Sequence, residues 1–184
     1  MPYPLRTERL SIEPLGEGDV ASFVAYRTVA SVARYQSWTI DYTETDARKL
    51  IAAQPAGELP EAGAWLQLAI RNADGTELYG DLAIHRLDEQ PDTFELGVTL
   101  APAAQGHGFA QEALATIIGH LFDDVRAHRL IAVCDTRNHS MARLLGRLGF
   151  RKESSQIEAD FFKDEWTTVD GYAMLAREHT RTQS

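Results

Sequence analysis

A short glycine-rich segment is the part of this 184-residue chain whose residue types and spacing best suit chemistry. The segment QGHGFA, residues 105–110, lies between a strand-like run and the most regular helical pattern in the chain. The first turn of a helix has unpaired backbone N–H groups and a positive dipole end, and glycine lets a ligand approach the backbone closely. No Asp or Glu occurs from Ala101 to Gln111. The segment therefore predicts an anion-binding loop, to which His107 could add a charge or a donor.

Two common nucleotide-binding loops do not fit this segment. A dinucleotide-binding fingerprint needs a Gly or Ala three residues after its second glycine, where this chain has Gln111. That fingerprint also follows a strand of a parallel sheet, whereas this segment follows strands that we predict to be antiparallel. The phosphate-binding string G-x-x-x-x-G-K-[ST] is absent. On these six residues alone, a glycine-rich turn that only starts a helix is an equally good interpretation.

The elements that must position the loop can be predicted from apolar periodicity and turn residues. We expect an opening strand over about 5–13, a helix after Asp19 that includes Val29, a helix over 45–54 and a loop over 55–63. Three antiparallel strands follow, over 64–71, 78–87 and 94–100. The rest is a helix from Phe109 to Val125, a strand over 129–134, a helix over about 139–148, a strand from Phe150 and a last strand in EWTTVDGYAML. This order predicts an α/β (α+β) domain with a mixed, mainly antiparallel sheet flanked by helices.

Composition excludes several function classes. Apolar residues make up 44% and charged residues 24%, as in ordinary globular domains, and the formal net charge of −9 disfavours binding to nucleic acid or to an anionic membrane. The single cysteine, Cys134, rules out an intramolecular disulfide framework, and the scattered histidines do not suggest a metal site. No apolar run is long enough to cross a membrane, and the start MPYPLRTERL lacks a signal peptide's apolar stretch. We expect a cytoplasmic protein without a metal.

The wider context of the loop carries a family resemblance. The stretch FELGVTLAPAAQGHGFAQEAL, a following strand and then RNHSMARLLGRLGF resemble the GNAT superfamily of acyl-CoA-dependent N-acetyltransferases, in its RimJ/RimL-like branch. Gln105, Gly108 and Ala110 match the family signature Gln/Arg-x-x-Gly-x-Gly/Ala. The opening LRTERLSIEPLGEGDV and the closing EWTTVDGYAML extend the resemblance over most of the chain, and it is weakest over 30–63. It implies one GNAT-type domain over 1–178 with a splayed central strand pair, followed by a polar tail over 179–184.

The resemblance also implies a site for acetyl-CoA as acyl donor. Backbone N–H groups of the loop would bind its pyrophosphate, and residues 98–100 would offer a strand edge to its pantetheine arm. Asn138 would contact the pantetheine or only cap the next helix, and Arg143 would reach a CoA phosphate or only solvent. The complete expected set is Val98, Thr99, Leu100, Gln105, Gly106, His107, Gly108, Phe109, Ala110, Asn138 and Arg143.

Acyl transfer to an amine also needs a base and a proton donor. Glu95 lies at a position where this branch often has an acid, so it would act as base or hold an ammonium group; alternatively it is a carboxylate paired on the sheet surface. Glu112 fits a structural acid at a helix start better. Met141 and Leu145 stand where many relatives have a serine and a tyrosine that protonate the thiolate. Ser140 is adjacent but rotated by about 100° on a helix, so water or the substrate ammonium would take that role.

The expected reaction is direct transfer of an acetyl group from acetyl-CoA to a primary amine, which is a protein N-terminus or a small-molecule amine. Three alternatives stay open: a catalytically silent acyl-CoA-binding module, a transferase for another acyl group such as succinyl, and an interaction domain whose loop is only a turn. Aromatic residues near the C-terminal strands would allow a homodimer.

Overall fold

Alternation of apolar and polar residues produces eight strands, which join into one sheet in this computed structural model. The structure describes residues 3–55 and 58–182, without the side chains of 180–182. The strands are β1 (Leu5–Arg6), β2 (Leu10–Pro14), β3 (Trp65–Asn72), β4 (Leu78–Arg86), β5 (Thr93–Leu100), β6 (Arg129–Asp135), β7 (Arg151–Phe162) and β8 (Glu165–Leu175). The helices are α1 (Val20–Arg27), α2 (Ala30–Ala33), α3 (Glu44–Ala52), α4 (Phe109–Asp123), α5 (His139–Arg147) and α6 (Ala176–Thr182), with 3₁₀ turns at Glu17–Asp19 and Pro102–Ala104.

The sheet order is β1-β2-β3-β4-β5-β6-β8-β7, and every neighbouring pair is antiparallel except β5 and β6. The parallel pair is short: it runs from Thr93 opposite Arg129 to Glu95 opposite Ile131 and then stops. Both strands continue beyond that point without pairing to each other, so a gap opens in the middle of the sheet. The predicted mixed sheet and its splayed central pair are therefore confirmed.

The two faces of the sheet bury different cores. One face packs against α4 and α5 and includes Ile117 and Leu121 of α4 with Leu82 and Ile84 of β4. The other face packs against the N-terminal helices around Phe23, and it is smaller. The amphipathic pattern of α4 explains the first core, because apolar residues at steps of three and four place one stripe against the sheet.

Three boundaries differ from the sequence prediction. The predicted strand over 5–13 is two antiparallel strands, because the backbone turns back at Thr7, whose N–H donates to the Leu10 carbonyl. The first helix ends at Arg27, so Val29 does not belong to it but precedes α2. The expected tail boundary at residue 178 lies inside α6, so the tail begins as a helix.

Elsewhere the predicted and observed bounds agree within about two residues. Helix α3 begins with a capping box: Thr43 is the N-cap, and its N–H donates to the Asp46 carboxylate. The predicted loop over 55–63 contains no helix or strand among its described residues, and residues 56 and 57 lie outside them.

Candidate active site

The glycine-rich loop connects β5 to α4 and presents the start of that helix to a cavity. Gly106 and Gly108 both have a φ of 82°, a left-handed conformation that other residues adopt only with strain, and Gly108 is the N-cap of α4. The Gln105 side chain donates to the Leu100 carbonyl at 3.1 Å and so ties the loop to the end of β5. Because the first N–H groups of a helix have no partner within it, those of α4 are available to a ligand in the cavity.

The cavity has a volume of about 680 Å³ and is lined from both sides of the sheet at the gap between β5 and β6. Its lining residues include all of the predicted donor-site residues except His107. The described lining residues include no Asp or Glu, although the chain has an excess of acidic residues, and they include Arg143 and Arg147. Neither arginine forms an ion pair with a described residue. The cavity therefore suits an anionic ligand in an otherwise acidic protein.

His107 lies elsewhere than predicted. Its side chain lines a separate cavity of about 260 Å³, beside Tyr79, and its ring centroid is 5.7 Å from that of Phe109. A direct contact between this imidazole and a ligand in the larger cavity is therefore not supported.

Asn138 caps a helix and also lies at the cavity. Its side-chain oxygen accepts a hydrogen bond from the Met141 N–H at 3.1 Å, which makes it the N-cap of α5, and the residue also lines the cavity. Arg143 lines the cavity as well, and its guanidinium lies 3.4 Å from the Ser140 hydroxyl. The start of α5 is thus a second group of polar atoms that faces the cavity.

Of the two positions where many relatives have a proton donor, only one lines the cavity. Met141 lines the cavity, whereas Leu145 is 1% exposed and belongs to the core. Ser140 also lines the cavity, so the rotation along the helix does not remove its hydroxyl from the site. The only cysteine, Cys134, is buried, and burial together with nearby Asp170 and Asp135 raises the pKa of its thiol to about 11.

Apart from Ser140 and Met141, seven lining residues were not predicted as site residues. Three of them lie on α4 and α5: Gln111, Leu144 and Arg147. The other four belong to α2 and the turn after it, where the resemblance is weakest: Ser31, Val32, Tyr35 and Gln36. The Tyr35 hydroxyl donates to the Arg137 carbonyl at 3.3 Å, so this segment bridges to the loop before α5. No local sequence signal could have identified these four residues, because their place depends on contacts with distant elements.

A buried ionic cluster holds in place the cavity wall that is formed by α2 and the turn after it. Asp81 of β4 is 1% exposed and accepts hydrogen bonds from Tyr26 and Gln67, and its carboxylate lies 3.3 Å from the Arg27 guanidinium. Arg27 is 3% exposed, and its guanidinium lies 3.6 Å from the ring centroid of Trp38. Burial raises the pKa of Asp81, and the attraction of Arg27 opposes that rise. The cluster fixes α1, and hence α2, against the sheet.

Glu95 lies at the point where β5 and β6 separate, since it forms the last parallel pair with Ile131. Its side chain is 27% exposed and does not line the cavity; one carboxylate oxygen is 3.5 Å from Nδ1 of His85 on β4. Trp65 of β3 stacks on the His85 ring at 4.5 Å between centroids and is 47% exposed. Trp65, His85 and Glu95 are cross-strand neighbours, so they form a row on one face of the sheet that ends at the gap.

Comparison with known proteins identifies the family. A family model described as an acetyltransferase (GNAT) domain matches residues 9–151, which is most of the chain. The chain belongs to the GNAT acetyltransferase family. It is accordingly an acyl-CoA-dependent acetyltransferase, and the predicted resemblance is confirmed.

Individual relatives are distant, and the share of the chain that they cover varies. The sequence is 26% identical to the uncharacterized N-acetyltransferase YoaA of Bacillus subtilis over 81% of this chain and 83% of that protein. It is 28% identical to a ribosomal-protein-serine acetyltransferase of Escherichia coli over 54% of this chain and 55% of that protein. The second match is consistent with the RimJ/RimL-like branch.

Solved structures show the same fold. A GNAT-family acetyltransferase from Bacillus anthracis superposes with a TM-score of 0.84 at 23% identity and covers 95% of this chain and 99% of its own. A spermidine N-acetyltransferase from Vibrio cholerae, in complex with CoA and spermine, has a TM-score of 0.81 at 17% identity, with the same coverage. A RimL ribosomal-protein acetyltransferase in complex with coenzyme A has a TM-score of 0.82 at 17% identity and covers 95% of this chain and 98% of its own.

Neither a metal-ligand cluster nor a membrane-spanning helix occurs in the described part of the chain. Within 3–55 and 58–182, no group of three or more His, Cys, Asp or Glu side chains is arranged to hold a metal ion. Among the helices of the same residues, none is long and apolar enough to cross a membrane.

Proposed function

We propose that this GNAT protein transfers an acetyl group from acetyl-CoA to a primary amine, without a covalent enzyme intermediate. The single observation that carries the proposal is the cavity at the gap between β5 and β6. It combines the start of α4, two arginines that form no ion pair with a described residue, and a lining without a described carboxylate. Such a site suits the phosphates of CoA at one end and the thioester at the gap.

Each part of the donor has a suitable partner in this arrangement. Backbone N–H groups of residues 105–110, rather than the His107 side chain, bind the pyrophosphate, and Arg143 or Arg147 reaches a phosphate. The edge of β5 at residues 98–100 has no partner strand on the β6 side, so its backbone is free to pair with the amides of pantetheine.

The nitrogen must lose two protons in the reaction, and the thiolate must gain one. Glu95 takes the first proton from the ammonium group, directly or through water, and the free amine attacks the thioester carbon. The C–N bond forms, and as the C–S bond breaks the nitrogen gives up its second proton to solvent. The CoA thiolate takes a proton from solvent, directly or relayed by the hydroxyl of Ser140 or Tyr35, and both residues line the cavity. The position of Glu95 at the point where the strands separate supports this role.

The acceptor is an amine of one of two classes. The relatives include a ribosomal-protein-serine acetyltransferase and a structure bound to spermine, so a protein N-terminus and a polyamine are the two candidate acceptors. The net charge of −9 favours either over an anionic acceptor. Other acyl donors such as succinyl-CoA are alternatives to acetyl-CoA.

The first test is a thermal shift with acetyl-CoA, succinyl-CoA, free CoA, ATP and NAD. A ligand at about 100 times its Kd adds about 2.7 kcal/mol, which raises the Tm of a domain of this size by several degrees. We expect a shift with the CoA compounds and none with NAD. No shift with any CoA compound would contradict the proposal. CoA release with polyamines and N-terminal peptides then identifies the acceptor class, and binding without turnover would indicate a silent module.

The second test concerns Glu95. With an accepted amine, Glu95→Gln should lower kcat about 100-fold at neutral pH and change the pH–rate profile, because a general base contributes roughly 10²–10⁴-fold. The matched control is Glu89→Gln, which alters an exposed carboxylate in the loop before β5. An unchanged rate and profile for Glu95→Gln would remove this residue from catalysis.

A further inference from the structure

The turn between β1 and β2 contacts the glycine-rich loop through residues that do not line the cavity. The Thr7 hydroxyl donates to Oε1 of Glu112 in the first turn of α4. The Arg9 side chain donates through Nε to Oε2 of the same carboxylate at 2.7 Å and through Nη1 to the His107 carbonyl at 3.0 Å. Its guanidinium also lies 4.9 Å from the centroid of the Phe109 ring. These contacts join residues about 100 positions apart in the sequence.

The turn is itself rigidly built. The Thr7 hydroxyl accepts hydrogen bonds from the N–H groups of Arg9 at 3.2 Å and Leu10 at 2.9 Å while it donates to Glu112. The Thr7 N–H donates to the Leu10 carbonyl at 2.9 Å. All hydrogen-bonding capacity of this one hydroxyl is therefore used, and Leu10 is fully buried in the core beneath it.

Glu112 links this rigid turn to the loop. Burial by itself would raise the pKa of its carboxyl, but the hydrogen bond from Thr7 and the contacts with Arg9 outweigh that and lower it, so the group is ionised at neutral pH. A carboxylate in the first turn of a helix is also favoured by the helix dipole. None of Thr7, Arg9 and Glu112 lines the cavity.

The loop needs such support because of its composition. Gly106 and Gly108 give it the left-handed backbone that exposes its N–H groups, but glycine also loses the most conformational freedom on ordering. A loop that is already fixed in the binding conformation avoids that loss when the ligand binds. The contact from Arg9 to the His107 carbonyl holds the residue between the two glycines.

We propose that Thr7, Arg9 and Glu112 form a strut that holds the loop over 105–110 in the conformation that binds acyl-CoA. They are positioning residues, because they act through the loop and do not touch the ligand. This inference rests on the proposed binding of acyl-CoA by that loop.

The test compares variants of Thr7 by calorimetric titration with acetyl-CoA. Thr7→Val keeps the shape but removes the hydroxyl, and we expect it to raise the Kd about tenfold, as the loss of one preorganising contact would. Thr7→Ser keeps the hydroxyl and should restore binding to within about twofold. The matched control is Arg6→Ala, which removes a neighbouring exposed arginine whose side chain bonds to the Ala73 carbonyl, away from the loop.

A second readout separates positioning from a general loss of stability. Hydrogen exchange without ligand should speed up at the amides of residues 106–110 in Thr7→Val, and much less in the core strands. Exchange that rises equally everywhere would indicate a structural role only and would overturn the inference. Glu112→Gln, which keeps the shape of the side chain, provides the same test if Thr7→Val fails to fold.

The outcomes distinguish this inference from the function on which it rests. If the unaltered protein binds acetyl-CoA and both Thr7→Val and Glu112→Gln bind it equally well, the strut is wrong and the proposed function stands. If the unaltered protein does not bind acetyl-CoA at all, the proposed function is wrong, and so is the inference that rests on it.

Discussion

The two ends of the active-site cleft are built by different means. At the loop end, the binding groups are backbone N–H groups within one six-residue segment, and the pattern of glycines determines their geometry. At the α2 end, the wall is held by the buried cluster of Asp81 with Tyr26 and Arg27, whose members lie as many as 55 positions apart in the sequence. A site made of backbone at a helix start can be recognised locally, whereas a wall held by buried side chains depends on the whole fold.

The difference extends to how each end tolerates change. A buried charge depends on its partner, since removal of one leaves the other uncompensated in a poorly polarisable environment. A backbone site depends instead on conformation and open space. We therefore expect substitutions at the α2 end to lower stability and substitutions in the loop to lower affinity.

The largest effect should come from the buried pair. Asp81→Ala leaves the Arg27 guanidinium buried without its carboxylate, and should lower the free energy of unfolding by about 3–5 kcal/mol. At roughly 2–4 °C per kcal/mol, the Tm should fall by about 6–20 °C. Urea and thermal unfolding measure both. The control is Asp41→Ala at an exposed position, expected within about 0.5 kcal/mol of the unaltered protein. A Tm for Asp81→Ala that matches that of the control would remove the distinction between the two ends.

Next in size is a change at the loop that spares the fold. Gly108→Glu forces a left-handed conformation on a non-glycine residue, and the added Cβ lies 3.6 Å from Nη2 of Arg9, so the new side chain disturbs the loop and its contact with Arg9. Affinity for acetyl-CoA should fall at least about 100-fold, which is about 2.7 kcal/mol. Calorimetric titration measures this, and circular dichroism checks that the variant is folded.

The same substitution at another glycine controls for added charge. Gly18 lies in the exposed 3₁₀ turn before α1, has no positive φ, and a Cβ atom added there would meet no heavy atom within 4 Å. Gly18→Glu should bind acetyl-CoA as the unaltered protein does. Equal affinities for the two variants would argue that the loop does not hold the ligand.

The two ends should also differ, by a smaller effect, in how the free energy of unfolding depends on pH. The pKa of Glu112 is lowered in the fold, so its stabilising contribution is present above its ordinary pKa and is lost as the pH falls through the lowered value. The pKa of Asp81 is raised, so the pH dependence of its contribution to stability is the opposite: the contribution weakens as the pH rises.

Urea unfolding between about pH 3 and pH 6, the range around the ordinary carboxyl pKa, tests that contrast. The stability advantage of the unaltered protein over Glu112→Gln should grow with pH. Its advantage over Asp81→Asn should shrink over the same range. Parallel pH dependences for the two variants would show that the two carboxylates do not differ in this way.

Much of the fold followed from local pattern. Helix α4 was predictable because its apolar residues recur at helical spacing. The turn at Thr7 was missed although the apolar residues change phase there, from Leu5 to Leu10 and Ile12, because a two-residue strand has too few apolar positions to reveal the change. The reversal depends on hydrogen bonds of the Thr7 hydroxyl, and a strand pattern does not reveal these.

The candidate site divides in the same manner. Gly108 and Asn138 could be assigned from their place in a motif, and both line the cavity. The orientation of His107 away from the cavity and the presence of Tyr35 in its wall could not, because each depends on how separate elements pack.

The sequence by itself determined the strand and helix order, the glycine loop before α4 and the membership of an acetyltransferase family. These depend on periodicity, on backbone conformation and on short motifs, which act over a few residues. Only the tertiary structure decided which side chains face the cavity, what holds the loop from behind and which charges are buried together. Those features depend on contacts between residues as far apart as Arg9 and Glu112, and a contact at such a separation exists only once the chain has folded.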